Sequence, residues 1–123
     1  MVKAVSIEKE IANCRVLKGR TPQTDVADED AVFATLADFR EGGVYAGSFE
    51  GESPWERHGR GDELVHVLKG ATRLTILTGG PEDGADWGAT VLEMSAGMLT
   101  VVPKGCWHKF EAPDGVTVLT ATP

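Results

Sequence analysis

The sequence predicts an all-β domain built as an antiparallel sandwich or barrel. Short apolar segments recur about every 8–12 residues, which is the spacing typical of such folds, and 15 glycines punctuate the chain. Apolar and polar side chains alternate within several segments, as in residues 72–77, where Leu74 and Ile76 oppose Arg73 and Thr75. A period of two is that of a strand with one buried face.

The candidate strands all lie after residue 31. They are residues 32–37, 44–50, 55–58, 64–68, 73–77, 90–94, 99–102, 108–111 and 116–121. Glycine- and proline-rich turn signals separate them. These signals are residues 41–43, 51–54, 59–62, 69–70, 79–84, 96–97, 103–105 and 113–115.

The chain is expected to form a single domain, because 123 residues are within the usual size of one. Residues 31–123 are predicted as the β-barrel core, and residues 1–30 as an N-terminal extension and loop. Within the extension, Ile7 and Ile11 are four apart and flank charged residues, which predicts one or two helical turns with Ser6 as N-cap. The alternative is an edge segment that leads into residues 15–20.

Charge and hydropathy exclude several classes of partner. The 12 basic residues are outnumbered by 19 acidic ones, for a net charge of −7. This balance argues against binding to nucleic acid or to an anionic membrane surface, because both require clustered basic residues. The N-terminus lacks the apolar stretch of a signal peptide, and the two cysteines are too few for a disulfide framework. A cytoplasmic location is therefore expected.

Two sequence patterns carry side chains suited to chemistry. Residues 97–108 read G-M-L-T-V-V-P-K-G-C-W-H, so an apolar run ends in a Pro-x-Gly turn and presents His108 just beyond it. Upstream, Glu56 and His58 are two apart, and residues two apart in a strand point to the same face. Residues 59–62 turn the chain, and Glu63 opens the next strand, where it can lie opposite His58.

These side chains are suited to binding a divalent metal. His108 arrives from a different part of the predicted barrel, so two imidazoles and one or two carboxylates can converge from three strands. His66 lies three residues from Glu63 and therefore falls on the opposite face by parity, at the surface or a dimer interface.

Together the two patterns resemble the motifs of the cupin superfamily, in particular those of a small single-domain cupin. Residues 97–108 match G-x5-P-x-G-x2-H, and residues 56–70 match the spacing H-x-H-x3-4-E-x6-G, with Glu56 in place of the first histidine. The resemblance implies a double-stranded β-helix, or jelly roll, and a homodimer. It also implies one divalent transition-metal ion, Fe(II), Mn, Zn or Ni. The residues at metal-ligand positions are Glu56, His58, Glu63 and His108.

Two roles are open for Glu56. If Glu56 binds the metal, two histidines and two carboxylates form a hard donor set that suits Mn or Fe(II). If it does not, His58, Glu63 and His108 form a facial triad, and Glu56 becomes a catalytic residue placed to act as general base.

Three functions are compatible with these features. The first is a metal-dependent enzyme that acts on a small organic molecule by oxygenase, isomerase or hydrolase chemistry. The second is a non-catalytic module that binds a sugar-like or acidic small molecule. The third is a domain whose metal site is only structural. Fold does not decide among them.

Overall fold

The computed structural model describes residues 2–25, 31–79 and 87–123. The chain forms the all-β jelly roll that the sequence predicts, with one short helix before it. The helix α1 spans Ile7–Ala12. The strands are β1 Leu17–Arg20, β2 Phe33–Phe39, β3 Gly42–Glu52, β4 Glu63–Thr78, β5 Gly88–Ser95, β6 Leu99–Val102 and β7 His108–Thr122.

The N-terminal helix begins as predicted. Ser6 is its N-cap, and the Ser6 hydroxyl accepts a hydrogen bond from the Lys9 N–H at 3.4 Å. None of its residues is buried, so α1 lies on the outside of the barrel. No helix in the described ranges is long and apolar enough to cross a membrane.

The strands join into one strongly bent sheet. The order along its main path is β1-β3-β7-β4-β5, while β2 pairs with β3 and β6 pairs with β4. Strand β1 runs parallel to β3, and the other pairs are antiparallel. Strand β1 lies within residues 1–30, which were predicted as an N-terminal extension and loop, with an edge segment leading into residues 15–20 as the alternative to a helix. The predicted loop at residues 21–30 and the predicted turn at 79–84 lie only partly within the described residues.

Two predicted turns are wrong, because β4 and β7 continue through them. Residues 69–70 lie inside β4, and residues 113–115 lie inside β7. Gly70 and Gly115 have φ of +74° and +94°, and the β4–β7 register shifts beside Gly70. A Cβ on Gly70 would lie 2.3 Å from the Gly115 carbonyl oxygen. Both glycines therefore allow a close crossing at which the two strands bend.

This bend places each half of β4 on a different part of the sheet. The first half pairs with β6, and the second half pairs with β5. The concave side encloses the hydrophobic core. Its largest fully buried apolar side chains are Phe49, Leu74, Val32, Val65, Val67, Val102 and Val118.

Candidate metal centre

Three chain segments present the predicted ligands on the inner face of the barrel. Glu63 begins β4 and His108 begins β7, and both side chains are buried. Residues 55–58 do not form the predicted strand, because only Glu56 pairs there, in an isolated bridge with His108. The Glu56 N–H donates to the His108 carbonyl at 2.8 Å, and the His108 N–H donates to the Glu56 carbonyl at 2.9 Å. Glu56 is therefore held beside His108 even without a strand.

Pro54 explains why this segment is irregular. The Ser53 N–H donates to the Phe110 carbonyl at 2.9 Å, so the segment already follows β7 before Pro54. Proline has no N–H to donate, and a strand ladder is interrupted where it occurs. Pairing resumes only at Glu56.

The Pro-x-Gly turn of residues 103–105 holds the backbone of His58 in place. The Gly105 N–H donates to the His58 carbonyl at 2.9 Å. Gly105 has φ of +78°, a conformation that glycine adopts without a steric penalty. The turn that precedes His108 in the chain thus also positions His58.

Glu63 lies between the two imidazoles. Its Oε2 is 3.0 Å from His58 Nε2, and its Oε1 is 3.2 Å from His108 Nε2. Glu56 stands farther back, with Oε2 3.9 Å from His108 Nε2. One potential ligand atom from each of Glu56, His58 and His108 lies within 4.8 Å of the others. All four predicted ligands are therefore brought together.

The facing atoms of this cluster do not satisfy one another. His58 Nε2, His108 Nε2 and Glu63 Oε1 are buried and form no hydrogen bond with the described part of the chain. These atoms are therefore close to one another but are not aligned for hydrogen bonding, and they point into the same space between the side chains. Buried polar atoms without partners are costly, and each one requires an explanation.

The orientation of His108 prepares Nε2 as a metal ligand. His108 Nδ1 is 3.1 Å from the Cys106 carbonyl oxygen. Because a carbonyl only accepts, Nδ1 carries the proton in this contact, and the lone pair of the neutral ring is on Nε2. An N–H bond to a backbone carbonyl is the usual second contact of a metal-binding histidine.

The ionisable groups shift one another's pKa values. Burial raises the pKa of Glu63, but the adjacent His108 and His58 outweigh burial and hold it below its ordinary value. Burial raises the pKa of Glu56 above its ordinary value, against the opposing effect of Arg20. Glu63 is therefore the more readily ionised carboxylate, and Glu56 is the one that more readily holds a proton.

The pKa values of both histidines are raised, whereas burial of an isolated imidazole lowers its pKa. The contact with Glu63 raises the pKa of His58, against the lowering effect of burial. Burial lowers the pKa of His108, but Glu63 and the Cys106 carbonyl outweigh it, so this pKa also lies above its ordinary value.

Glu63 and the two imidazoles have the separations expected around a divalent cation. At ligand distances of about 2.1 Å, two adjacent ligands of an octahedral ion lie about 3 Å apart. The 3.0 Å and 3.2 Å separations around Glu63 agree with this spacing. The unsatisfied Nε2 atoms also offer the lone pairs that such an ion requires.

A cavity of about 200 Å³ adjoins the cluster. Glu56 and Glu63 line it on the side of the histidines, and phenylalanine side chains form much of the remaining wall. Arg20 also lines this cavity and is only 4% exposed. Its Nη2 lies 3.4 Å from Glu56 Oε1, and its guanidinium carbon lies 4.5 Å from the centroid of the Phe49 ring.

Sequence reasoning missed Arg20, because the residue lies in the segment predicted as an extension. Arg20 enters the barrel through the pairing of β1 with β3, where it faces Gly51. A Cβ on Gly51 would lie 2.2 Å from the Arg20 carbonyl oxygen. The only available sequence signal is therefore Gly51, whose missing side chain permits this close approach.

The other histidine and its neighbours stay outside the cluster. His66 is partly exposed and alternates with buried Val65 and Val67, so it lies on the outer face as predicted. Trp107 is 36% exposed and points away from the ligands, with the Arg57 guanidinium 5.7 Å from its ring centroid.

Several solved structures share this fold at low sequence identity. A conserved protein of unknown function from Streptococcus pyogenes has a TM-score of 0.61 and 19% identity, over 100% of this chain and 90% of that one. A cupin-2 domain protein from Shewanella frigidimarina has a TM-score of 0.57 and 18% identity, over 83% and 96% of the two chains.

A structure of hydroquinone 1,2-dioxygenase in complex with Cd2+ and 4-hydroxybenzonitrile is also similar. Its TM-score is 0.53 and its identity 24%, over 65% of this chain. This chain spans only 56% of the length of that dioxygenase chain. At these identities the likeness concerns the fold.

The sequence itself identifies the family. No curated protein matches the chain significantly. Residues 49–121, more than half of the chain, match the Cupin_2 family, described as the cupin domain. The match includes both predicted motifs and all four candidate ligands. The chain belongs to the cupin domain family.

Proposed function

We propose that this protein is a metal-binding cupin that acts on a small organic molecule in the barrel. The proposed ligands are His58, Glu63 and His108, with Glu56 beside them. The observation that carries the proposal is the convergence of two buried Nε2 atoms and the buried Oε1 of Glu63, none of which has a hydrogen bond within the described residues. A single divalent ion would satisfy all three residues at once.

The geometry favours the facial triad over a set of four ligands. Glu63 is within 3.2 Å of both imidazoles, whereas Glu56 is 3.9 Å from the nearer one. Arg20 also holds one Glu56 oxygen at 3.4 Å. Two nitrogens and one carboxylate form the hard, open donor set of non-haem Fe(II), which makes Fe(II) or Mn better candidates than Zn or Ni.

Glu56 is the proposed acid–base catalyst. Burial raises its pKa, which brings proton uptake and release closer to neutral pH. Its Oε2 faces His108, and its Oε1 is held by Arg20. Glu56 can therefore accept a proton from a substrate in the cavity and later return it. A bound divalent ion would supply Lewis-acid polarisation of the same substrate.

A non-catalytic binding module is the second candidate, and the cavity supports it. A phenylalanine-lined space of about 200 Å³ with one buried guanidinium can hold a small acidic ligand without any turnover. Ligand affinity that survives removal of the metal would favour this candidate over the enzyme.

Metal analysis of the purified protein tests the proposed ligands. Wild-type protein should bind about one divalent ion per chain after reconstitution, whereas the His58→Ala and His108→Ala variants should lose most of it. His66→Ala is the matched control, because His66 lies on the outer face and should not change the metal content. Equal metal in wild type and His108→Ala would contradict the assignment.

We further expect a homodimer. Large apolar side chains are exposed on β2 and β6, with Leu99 61%, Phe39 54% and Val101 48% exposed, and Phe39 and Val101 line the same surface pocket. Within the described residues, β6 pairs only with β4. A second copy could cover this surface. Light scattering coupled to size exclusion should give twice the mass of the chain, and a monomer that persists at high concentration would refute the dimer.

A further inference from the structure

Glu56 is close enough to the metal centre to serve as a ligand, yet its carboxylate stands back. One of its oxygens lies within 4.8 Å of ligand atoms of His58 and His108. Its Oε2 is 3.9 Å from His108 Nε2, about 1 Å more than the roughly 3 Å between adjacent ligands of an octahedral ion. A rotation of the side chain would close this gap. The contacts of the carboxylate therefore decide whether Glu56 is a ligand.

One carboxylate oxygen of Glu56 is engaged by Arg20. Arg20 Nη2 donates a hydrogen bond to Glu56 Oε1 at 3.4 Å, while Oε2 faces His108. The two oxygens belong to one rigid planar group, so a contact that holds Oε1 also restricts the movement of Oε2. The distance is longer than in a strong charge-assisted hydrogen bond, so this restraint is effective only if Arg20 itself is held in place.

Arg20 is held in place by its strand and by its surroundings. It is 4% exposed, and the pairing of β1 with β3 places it opposite Gly51. Its guanidinium carbon lies 4.5 Å from the centroid of the Phe49 ring, within the range of a cation–π contact. Arg20 also takes part in a further interaction besides its contact with Glu56. A side chain restrained at several points loses rotamer freedom, so it provides a fixed contact for the more exposed Glu56.

We infer that Arg20 is a positioning residue that keeps Glu56 out of the coordination sphere of the metal ion. With Arg20 in place, the ion would be held by His58, Glu63 and His108. Glu56 would then remain free to exchange protons. Without Arg20, the Glu56 carboxylate would turn toward the ion and become a fourth ligand. This inference rests on the proposed metal centre, and it assigns to Glu56 the second of the two roles that the sequence leaves open.

Mn(II) is a suitable probe, because the water molecules that it coordinates exchange rapidly and speed up the relaxation of water protons. An octahedral ion held by three protein ligands keeps about three water molecules, and a fourth protein ligand removes about one. Wild-type protein and Glu56→Ala should therefore show the same number of coordinated water molecules, since Arg20 already keeps Glu56 off the ion. Arg20→Met should show about one fewer per ion.

The Arg20→Met/Glu56→Ala double variant separates a positioning role from the general effect of a lost buried charge. If Arg20 acts through Glu56, removal of Glu56 restores the water molecule lost in Arg20→Met, and the two changes are not additive. A loss that persists in the double variant would overturn the inference. Arg73→Met is the matched control, because it removes an exposed arginine that pairs with Glu93 at 2.6 Å, and it should leave the number of water molecules unchanged.

Circular dichroism checks that each variant is folded. The comparison of wild type with Glu56→Ala requires no change at Arg20, so it decides if Arg20→Met does not fold. Equal numbers of water molecules then support the inference. An additional water molecule in Glu56→Ala overturns it, because Glu56 would then be a ligand in the presence of Arg20.

The Mn(II) content is measured in the same samples, so the two proposals fail in different ways. Protein that takes up no Mn(II), or that retains all of it in His108→Ala, would overturn the proposed metal centre and the inference with it. Protein that binds Mn(II) with the same number of water molecules in wild type and folded Arg20→Met would overturn only the role of Arg20.

Discussion

Gly51→Ala should be among the most destabilising single-methyl changes in this protein. Gly51 has φ of +119°, outside the region that residues with a Cβ adopt. The new Cβ would lie 2.2 Å from the Arg20 carbonyl oxygen and 2.6 Å from the Arg20 nitrogen. These neighbours are backbone atoms of β1, so no side-chain rotation can relieve the contact.

The magnitude follows from two costs. Backbone strain at such a φ costs about 1–3 kcal/mol, and forcing extra volume into a packed position typically costs about 1–3 kcal/mol more. We therefore expect a loss of about 2–6 kcal/mol in the free energy of unfolding, a large share of the roughly 5–15 kcal/mol typical of a domain. Displacement of β1 would also move Arg20 from the cavity.

Gly19→Ala is the matched control for this experiment. Gly19 also has a positive φ, +65°, and also lies in β1, but a Cβ there would meet nothing within 4 Å. This variant should lose only about 1–2 kcal/mol, the cost of the left-handed backbone. Urea denaturation followed by circular dichroism measures both losses. Equal losses in the two variants would refute the argument that β1 packs directly against Gly51.

Two further predictions concern the ionisable groups of the site. Metal-free protein should lose stability as the pH rises above about 6.5, because the raised pKa values of His58 and His108 stabilise the folded state only while the rings are protonated. Added metal should reverse this trend, since it binds neutral imidazole. Thermal unfolding across this pH range measures the stability of the metal-free and the metal-loaded protein. A Tm of the metal-free protein that rises with pH above about 6.5 would contradict the raised pKa values of the two histidines. Separately, Glu63→Gln should lower metal affinity about 10-fold or more, whereas Glu56→Gln should bind metal nearly as wild type but lose any turnover. Competition with a chelator measures both affinities, and the reverse order would make Glu56 the ligand.

Much of the fold and most of the site could be predicted locally. The period of two in residues 72–77 and the spacing from Gly97 to His108 depend only on nearby residues, and both predictions are confirmed. The N-cap at Ser6 is local in the same way. The structure also brings Glu56, His58, Glu63 and His108 together, as the sequence suggested, although their role as ligands stays a prediction.

The sequence predictions were wrong where the local structure depends on pairing with a strand that is distant in the chain. A glycine with positive φ can end a strand or form a bulge within it, and Gly70 forms a bulge because β7 crosses it at Gly115. The segment 55–58 looks like a strand by composition, yet Pro54 and its place beside β7 leave only one bridge.

The sequence by itself determined the strand periodicity, the cupin motifs and the identity of the candidate ligands, because these depend on residue type and short spacing. Only the tertiary structure decided that β1 lies beside β3 and buries Arg20 in the cavity. The contact between Arg20 and Glu56 joins residues 36 positions apart. Such a contact depends on the strand pairing of the whole sheet, and no local pattern encodes it.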